Sequence, residues 1–277
     1  IASDEEMTRF YAGRENVPYI MEEYLSGDIW SYDGISDSRA NVIFETCTSW
    51  PPSIADIVNN KDHLAYYTSS KLPDDLREAG RNTIKAFNVR SRFFHLEFFR
   101  LKEDKPGLAR KGELVALEVN MRPAGGWTPD MFNYANSVDV YSIWADMVTH
   151  DKTFVDLDRQ KFFAVYAGRR NGKPYVHTPE EIRARYAGRI VMDLDIPEAI
   201  SGAMGNHQWT AILDTAEQKD EFIRFVQETR AKRASDRLDR LIHTIVTVKR
   251  GGVLVDIPAE RLEVGDLVML SAGGRIQ

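Results

Sequence analysis

The sequence contains little cysteine, no long apolar run and no excess of positive charge. Its 277 residues include one cysteine, Cys47, which excludes an internal disulfide framework and is typical of a reducing compartment, so we expect a cytoplasmic protein. No apolar run is long enough to cross a bilayer, and no signal-peptide pattern is present. The net charge of −6 argues against nucleic acid as a partner, because a nucleic-acid footprint needs a surplus of Lys and Arg on one face.

What is present is the composition of a globular protein with a sizeable core. Hydrophobic residues make up 43% and charged residues 28% of the chain. Alternating apolar patterns predict strands, and patterns of helical period predict helices between them. One helix is expected from Pro73, with Leu76, Ile84 and Phe87 on its apolar face, and another over residues 138–148. Cys47 follows a short apolar run and is predicted to be a small strand residue without a nucleophilic role.

The first residues predict a helix that begins at the very start of the chain. Ser3 is a candidate N-cap, and Glu6 completes a capping box three residues later. A chain that opens at a helix cap leads us to expect that an upstream part of the fold precedes it.

Acidic side chains inside two apolar strands are the most informative positions. The strand Phe93–Phe99 contains Glu97, and the strand Leu114–Asn120 contains Glu118. Side chains alternate across a strand, so Glu118 and Asn120 point to the same face, and a hairpin would place Glu97 beside them. Burying an ionised carboxylate is costly unless it is paired or bound to a metal. Two carboxylates and an amide oxygen would make a site suited to Mg²⁺ or Mn²⁺.

Two other interpretations of the same strands stay open at this point. Glu97 and Glu118 could be neutralised by Arg100 and Arg122 as ion pairs on the face of the sheet, which the residues favour about as much as a metal site. His95 alternates with Glu97, and a histidine hydrogen-bonded to its neighbours is at least as well supported there as a catalytic one.

These strings resemble the metal-binding signature of the ATP-grasp superfamily. The matching segments are His95–Phe98 and Leu117–Gly126, and Met21–Gly27 upstream is similar to the adenine-binding hinge of that family. The resemblance implies an α+β fold, the C-terminal portion of an ATP-grasp fold with an antiparallel sheet and packed helices, followed by a small β-rich tail. It also implies an ATP-dependent ligase of the carboxylate–amine type. Such an enzyme converts a small carboxylate to an acyl phosphate, which an amine or similar nucleophile then attacks. Its partners would be small molecules, and a homo-oligomer is left open.

The resemblance also implies a role for each matching residue. Glu97, Glu118 and Asn120 would coordinate the Mg²⁺ or Mn²⁺ ions that bridge the phosphates of ATP, and Arg122 would contact the phosphoryl group or the acyl substrate as the catalytic residue. The adenine base would be bound by the hinge residues Glu22, Glu23, Tyr24 and Leu25. In place of the family's acidic ribose contact the chain has Ile29, so Asp28 and Asp33 are candidates for that role.

The resemblance divides the chain into segments. We expect residues 1–150 to form the nucleotide- and metal-binding portion and residues 151–228 an α+β lobe, in which Met204 and Trp209 belong to the core. The family's ATP-binding lysines and Gly-rich loop normally precede such a portion and are absent here. We therefore expect the chain as given to be incomplete and to hold metal poorly.

The third segment, residues 229–277, is predicted to contain a helix over 230–241 and strands over 244–249, 253–257 and 266–270. Residues from about 226 to 277 resemble a different family. Thr247–Gly252, Ile257–Leu262 and Val264–Gln277 are similar to the start of the actuator domain of P-type cation ATPases. The sequence ends before the catalytic loop of that family, so the resemblance implies no catalytic residue here. The alternative function is thus a non-catalytic cytosolic module, and a small β-rich unit with Gly-Asp turns is the purely conformational interpretation.

Overall fold

The structure is a computed structural model that describes residues 3–50, 57, 61–233, 245–258 and 261–269. The chain divides into two compact units. The first consists of Ile1–Asn171 and Glu180–Gln227, and the second consists of Gly172–Pro179 and Glu228–Gln277. The expected division into three segments stays a prediction. Within the described ranges, none of the helices combines the length and the apolar character that crossing a bilayer requires.

One eight-stranded antiparallel sheet organises the first unit. Its strands are β1 (Gly27–Ser36), β2 (Val42–Trp50), β3 (Ala65–Thr68), β4 (Arg92–Leu101), β5 (Leu114–Asn120), β6 (Phe163–Arg169), β7 (Ile190–Asp195) and β8 (His207–Leu213). Their order across the sheet is β5–β4–β1–β2–β3–β6–β8–β7. The predicted β4–β5 hairpin is therefore formed, and β5 is an edge strand.

Helices connect these strands and cover the sheet. Those described are α1 (Asp4–Gly13), α2 (Asp74–Ala86), α3 (Thr128–Asn136), α4 (Val140–His150), α5 (Pro179–Arg185), α6 (Glu198–Met204) and α7 (Ala216–Gln227). The first begins as predicted, because the Ser3 hydroxyl oxygen accepts a hydrogen bond from the Glu6 backbone N–H at 3.2 Å.

One face of β1, β2 and β4 forms an apolar core beneath α2. Leu76 and Ile84 of the helix pack with Tyr32, Leu96 and Phe98 of the sheet, and all five are at least 96% buried. Burial of each such side chain stabilises the fold by about 1.5–3 kcal/mol. Cys47 lies in the same core, where burial raises the pKa of its thiol to about 12, so the structure agrees with a packing role.

The opposite face is covered only in part. Ile35, Phe44 and Phe93 pack there against Phe132 of α3 and Ile143 of α4. Farther along the same strands the residues become polar, and the packed helices give way to a cavity. The sheet thus presents a closed apolar end and an open polar end on one face.

The helices after β5 correct one sequence-based prediction. A single helix over residues 138–148 was expected, but α3 precedes it and α4 begins only at Val140. Ser137 ends α3 in the left-handed region, with φ of +54°, and the Asp139 carboxylate accepts a hydrogen bond from the Tyr141 N–H at 3.0 Å. The cap at Asp139 is a sequence signal that the apolar spacing obscured.

Two further corrections concern which side chains are buried and which elements exist. Phe87 was expected on the buried face of α2, but it follows the last helical residue and is 61% exposed. The strand β8 and the short helix α6 were not predicted. Trp209 lies in β8 and is 2% exposed, which confirms it as a core residue.

The second unit contains a small antiparallel sheet. Its strands are β9 (Ile245–Arg250), β10 (Val253–Pro258) and β11 (Leu267–Val268), in the order β10–β9–β11. These match the strands predicted over 244–249, 253–257 and 266–270. The helix predicted over 230–241 lies largely outside the described residues, as does the end of the actuator-like segment from residue 270 onward.

Candidate active site on the β4–β5 hairpin

The register of the hairpin brings the predicted ligands together. Glu97 pairs directly with Glu118, and His95 pairs with Asn120, so these four side chains share one face of the sheet. The register shifts between Glu97 and Phe98, where β5 has one residue more than β4. Such bulges change the aim of neighbouring side chains and are common beside functional sites.

Arg100 and Arg122 do not form the ion pairs with Glu97 and Glu118 that one interpretation of the sequence predicts. Arg100 binds Asp75 at 2.7 Å, and the Arg122 guanidinium donates a hydrogen bond to the Pro123 carbonyl oxygen at 3.0 Å. In the part of the chain that the structure describes, neither arginine pairs with Glu97 or Glu118. The expected burial of Glu118 is wrong, because it is exposed on the edge strand, so burial gives no argument for a metal there.

The oxygen donors on this face fit a divalent cation. Glu97 uses only Oε1 in its hydrogen bond, and Glu118 has no ion pair among the described residues. Among the described residues the buried Asn120 Nδ2 atom has no hydrogen-bond partner, and an amide in that situation can turn its oxygen toward a cation. No group of three His, Cys, Asp or Glu side chains in the described ranges is placed to hold a metal by itself. A set of two carboxylates and an amide suits Mg²⁺ that also binds phosphate oxygens.

His95 is held between two carboxylates in the interior of the sheet. Its Nδ1 lies 2.6 Å from Asp33 Oδ1 and its Nε2 lies 3.0 Å from Glu97 Oε1. Burial by itself lowers the pKa of His95, but the charges and hydrogen bonds of Asp33 and Glu97 outweigh it and raise the pKa to about 10. The imidazolium therefore donates to both carboxylates at neutral pH. The predicted locally hydrogen-bonded histidine is confirmed.

Asp33 has a different role from the ribose contact considered for it. Its carboxylate is fully buried and binds both His95 and the Ser31 hydroxyl, the latter at 2.6 Å. A buried side chain with these partners cannot reach a nucleotide. Asp28, the other candidate, forms an ion pair with Lys102 at 2.6 Å.

A cavity of about 290 Å³ opens beside His95 and Glu97. Its lining combines the polar residues His95, Glu97 and Arg122 with the glycines 125 and 126 and the apolar or aromatic residues Ile29, Trp50, Tyr66 and Met204. Met204 was predicted to lie in the core. Its side chain packs against core residues, but Met204 also borders this cavity. Trp50 and Tyr66 were not predicted as site residues, because nothing in their local sequence links them to the hairpin.

Trp50 and Tyr66 form an aromatic wall of the cavity, and stacking between rings holds this wall in place. The Trp50 ring lies 4.4 Å from the Tyr66 ring at 18°, and Tyr66 lies 4.7 Å from Tyr166 at 21°. The Tyr166 hydroxyl donates a hydrogen bond to the Met204 carbonyl oxygen at 2.7 Å. These contacts connect β2, β3 and β6 with the end of α6 behind the aromatic wall.

The hinge predicted to bind adenine runs into β1 beside the β4–β5 loop. Glu22, Glu23 and Tyr24 are exposed and Leu25 is partly buried. Lys105 of the loop contacts the Glu23 carboxylate at 2.6 Å and the Tyr24 carbonyl oxygen at 3.3 Å. The adenine-binding role of these residues stays a prediction.

Several solved structures have a similar fold. The L-amino acid ligase from Bacillus licheniformis has a TM-score of 0.52 at 11% identity, over 73% of this chain and 50% of that chain. Phosphoribosylglycinamide synthetase from Anaerococcus prevotii has a TM-score of 0.49 at 12% identity, over 92% and 61%. The phosphoribosylaminoimidazole carboxylase ATPase subunit from Aquifex aeolicus has a TM-score of 0.49 at 14% identity, over 80% and 69%.

A scan of protein-family models and a search of curated proteins found no match to the sequence. The chain spans 50% and 61% of the length of the first two of these solved structures, and identities this low show the fold alone. Of these three structures, the L-amino acid ligase has a TM-score above 0.5, and it supports the fold of this chain. The resemblance of residues 226–277 to an actuator domain receives no support. The predicted α+β fold class, an antiparallel sheet with packed helices, is confirmed, and the L-amino acid ligase has a similar fold.

Proposed function

We propose that this chain carries the metal- and carboxylate-binding part of an ATP-dependent ligase of the carboxylate–amine type. The observation that carries the proposal is the register of the hairpin, which places Glu97 opposite Glu118 on the face where Asn120 also lies. The same face borders a cavity that includes Arg122. The likeness in fold to an L-amino acid ligase agrees with this reaction class.

In the proposed reaction two bonds form in turn. A carboxylate oxygen bonds to the terminal phosphorus of ATP while the bond from that phosphorus to the bridging oxygen breaks, which releases ADP. The nitrogen of an amine then bonds to the acyl carbon, and the C–O bond to phosphate breaks. Divalent ions, when bound, would supply charge neutralisation on the transferring phosphoryl group.

The residues of the chain contribute binding and orientation. Glu97, Glu118 and Asn120 would hold Mg²⁺ or Mn²⁺ through oxygen atoms. Arg122 would orient the anionic substrate, since a guanidinium matches the geometry of a carboxylate or phosphoryl group. The adenine base would be bound at Glu22–Leu25. We place this enzyme in the cytoplasm, on the basis of its single cysteine.

Binding of Mn²⁺ with ATP tests the proposal without requiring turnover. Electron paramagnetic resonance measures how much Mn²⁺ leaves solution when the chain and ATP are present. We expect Glu118→Gln to weaken this binding by at least about tenfold, because it removes one of two charged ligands.

Glu78→Gln is the matched control, since Glu78 is an exposed glutamate on α2, the helix that packs on the other face of the sheet. It should leave Mn²⁺ binding unchanged. Equal affinity of the Glu118→Gln variant and the unaltered chain would refute the assignment of this metal site.

A further inference from the structure

We propose that the cavity beside the hairpin selects a carboxylic acid with an aromatic or branched apolar chain, and that Trp50 determines this specificity. This inference rests on the proposed ligase function and names its substrate class. The lining of the cavity includes the apolar or aromatic residues Ile29, Trp50 and Met204 and the charged residues Glu97 and Arg122. A small molecule that has both an apolar part and an anionic group matches this lining.

The volume of the cavity limits the substrate to a small molecule. About 290 Å³ lies at the lower end of the range of ligand pockets, about 300–1,000 Å³. A nucleotide together with a second substrate would exceed it, so the cavity fits one small acid. Gly126 borders the cavity with φ of +61°, where other residues are strained, and a Cβ there would lie 3.9 Å from the Met204 side chain.

Trp50 is fixed in place on two sides. Its indole N–H donates a hydrogen bond to the Ser31 hydroxyl at 3.2 Å, and that hydroxyl donates to the Asp33 carboxylate at 2.6 Å. Tyr66 stacks on the indole at 4.4 Å. An indole held by both contacts presents a rigid apolar surface to the cavity. Rigid aromatic surfaces bind without the loss of side-chain freedom that a flexible residue would incur.

The same buried network connects specificity to the proposed metal ligand. Asp33 binds Ser31 with one carboxylate oxygen and His95 with the other, and His95 binds Glu97. The position of the apolar wall and the position of the Glu97 carboxylate are therefore set by one chain of hydrogen bonds. An apolar group lying against the wall would be held at a constant place relative to Glu97.

A second charged or strongly polar group on the acid would be rejected by the apolar part of the lining. Its water shell would be removed against Ile29 and Met204, neither of which offers a hydrogen-bond partner. Apolar contacts discriminate about 10- to 200-fold for each methylene gained or lost. We therefore expect a graded preference for larger apolar chains and rejection of dicarboxylates.

Calorimetric titration with four simple acids tests this inference on the full chain in the presence of Mg²⁺ and a non-hydrolysable ATP analogue. The probes are 3-phenylpropanoate, 4-methylpentanoate, acetate and succinate. We expect the first two to bind at least about tenfold more tightly than acetate, and succinate to bind no better than acetate.

Variants at Trp50 distinguish a specificity role from a structural one. Trp50→Ala should bring the ratio of affinities between the two larger acids and acetate close to one, and Trp50→Phe should restore most of that ratio. Trp30 lies one residue out of phase with Ile29 on β1 and packs against the core of the opposite face, so Trp30→Ala is the matched control and should leave the preference intact. Thermal unfolding of each variant checks that it is folded.

Three outcomes would overturn the inference. Equal affinity for all four acids, or tightest binding of succinate, would exclude an apolar specificity while leaving the ligase proposal in place. A preference unchanged in folded Trp50→Ala would exclude Trp50 as its determinant. Absence of binding by every acid, together with Mn²⁺–ATP binding that does depend on Glu118, would overturn this inference alone; without that dependence the ligase proposal fails as well.

Discussion

The two faces of strand β4 differ in what covers them, although one strand forms both. Leu96 and Phe98 point into a core that α2 closes, and both are at least 96% buried. His95 and Glu97 point to the other face, where they join a hydrogen-bonded chain beside an open cavity. The comparison teaches that a two-residue alternation lets one strand serve packing and binding at once.

The polar face keeps its buried charges because each has a partner. His95 would be costly to bury as a cation without Asp33 and Glu97 on its two ring nitrogens. Asp33 in turn is bound by His95 and Ser31. The apolar face needs no such partners, so its stability depends on volume and contact alone. The predictions below exploit this difference, from the largest expected effect to the smallest.

Loss of volume on the apolar face should have the largest effect. Leu96→Ala is expected to lower the free energy of unfolding by about 2–5 kcal/mol, because it leaves a cavity in a fully buried cluster. Glu118→Gln, on the polar face of the neighbouring strand, should change it by less than about 0.5 kcal/mol, since Glu118 is exposed. Urea unfolding followed by circular dichroism measures both. Equal destabilisation by the two substitutions would contradict the division into a packing face and a binding face.

Alkaline pH should weaken the polar face through loss of the charge on His95, in addition to the loss from the Cys47 thiol that the apolar core keeps protonated. The pKa of His95 is raised from 6.5 to about 10, so the stability that its charge contributes is fully present below pH 6.5 and is lost as the pH rises through 10. The expected loss is about 1.5–3 kcal/mol, the scale of hydrogen bonds to charged groups.

Unfolding free energies at pH 7 and pH 10.5, in the presence of a chelator, measure this loss. Because lysines and tyrosines also titrate above pH 9, the informative quantity is the difference from His95→Gln, in which the His95 contribution is absent. Asp33 and Glu97 are the groups that face His95 in both measurements. The same pH dependence in both proteins would contradict a charged His95.

The smallest effect should come from the aromatic residue that the helical pattern misplaced. Phe87 is 61% exposed at the end of α2, so Phe87→Ala should change the free energy of unfolding by less than about 0.5 kcal/mol. Ile84→Ala, in the same helix but 1% exposed, should cost about 2–5 kcal/mol. If Phe87→Ala lowered the free energy of unfolding by as much as Ile84→Ala, the Phe87 side chain would belong to the packed apolar face.

Most of the hairpin could be predicted from local sequence. The strand β5 was expected over Leu114–Asn120 and has those bounds, because apolar alternation and a Pro106–Gly107 turn specify it. The helices after it were predicted less well. The helix α3 was not predicted, and the helix expected from residue 138 begins at Val140, because a left-handed residue at Ser137 ends α3 and the Asp139 side chain caps α4.

The cavity could not be predicted, because its walls come from distant parts of the chain. Trp50, Tyr66 and Met204 belong to β2, β3 and the end of α6, and only the strand order of the sheet brings them beside Glu97. A His95 that is hydrogen-bonded to its neighbours could be predicted from the sequence. Its partner Asp33 could not be predicted, since the two residues pair across β1 and β4. Conversely, the sequence suggested a buried Glu118, and the edge position of β5 exposes it.

By itself the sequence determined that Glu97, Glu118 and Asn120 can share one face, because alternation along a strand is a local property of the backbone. It also determined that the protein lacks a disulfide framework and a surplus of positive charge. Only the tertiary structure decided that Glu97 is partly buried while Glu118 is exposed. It also decided that His95 is charged and that Trp50 lines a cavity beside Glu97. These depend on contacts between residues far apart in the chain, and such contacts are set by the order and packing of the strands.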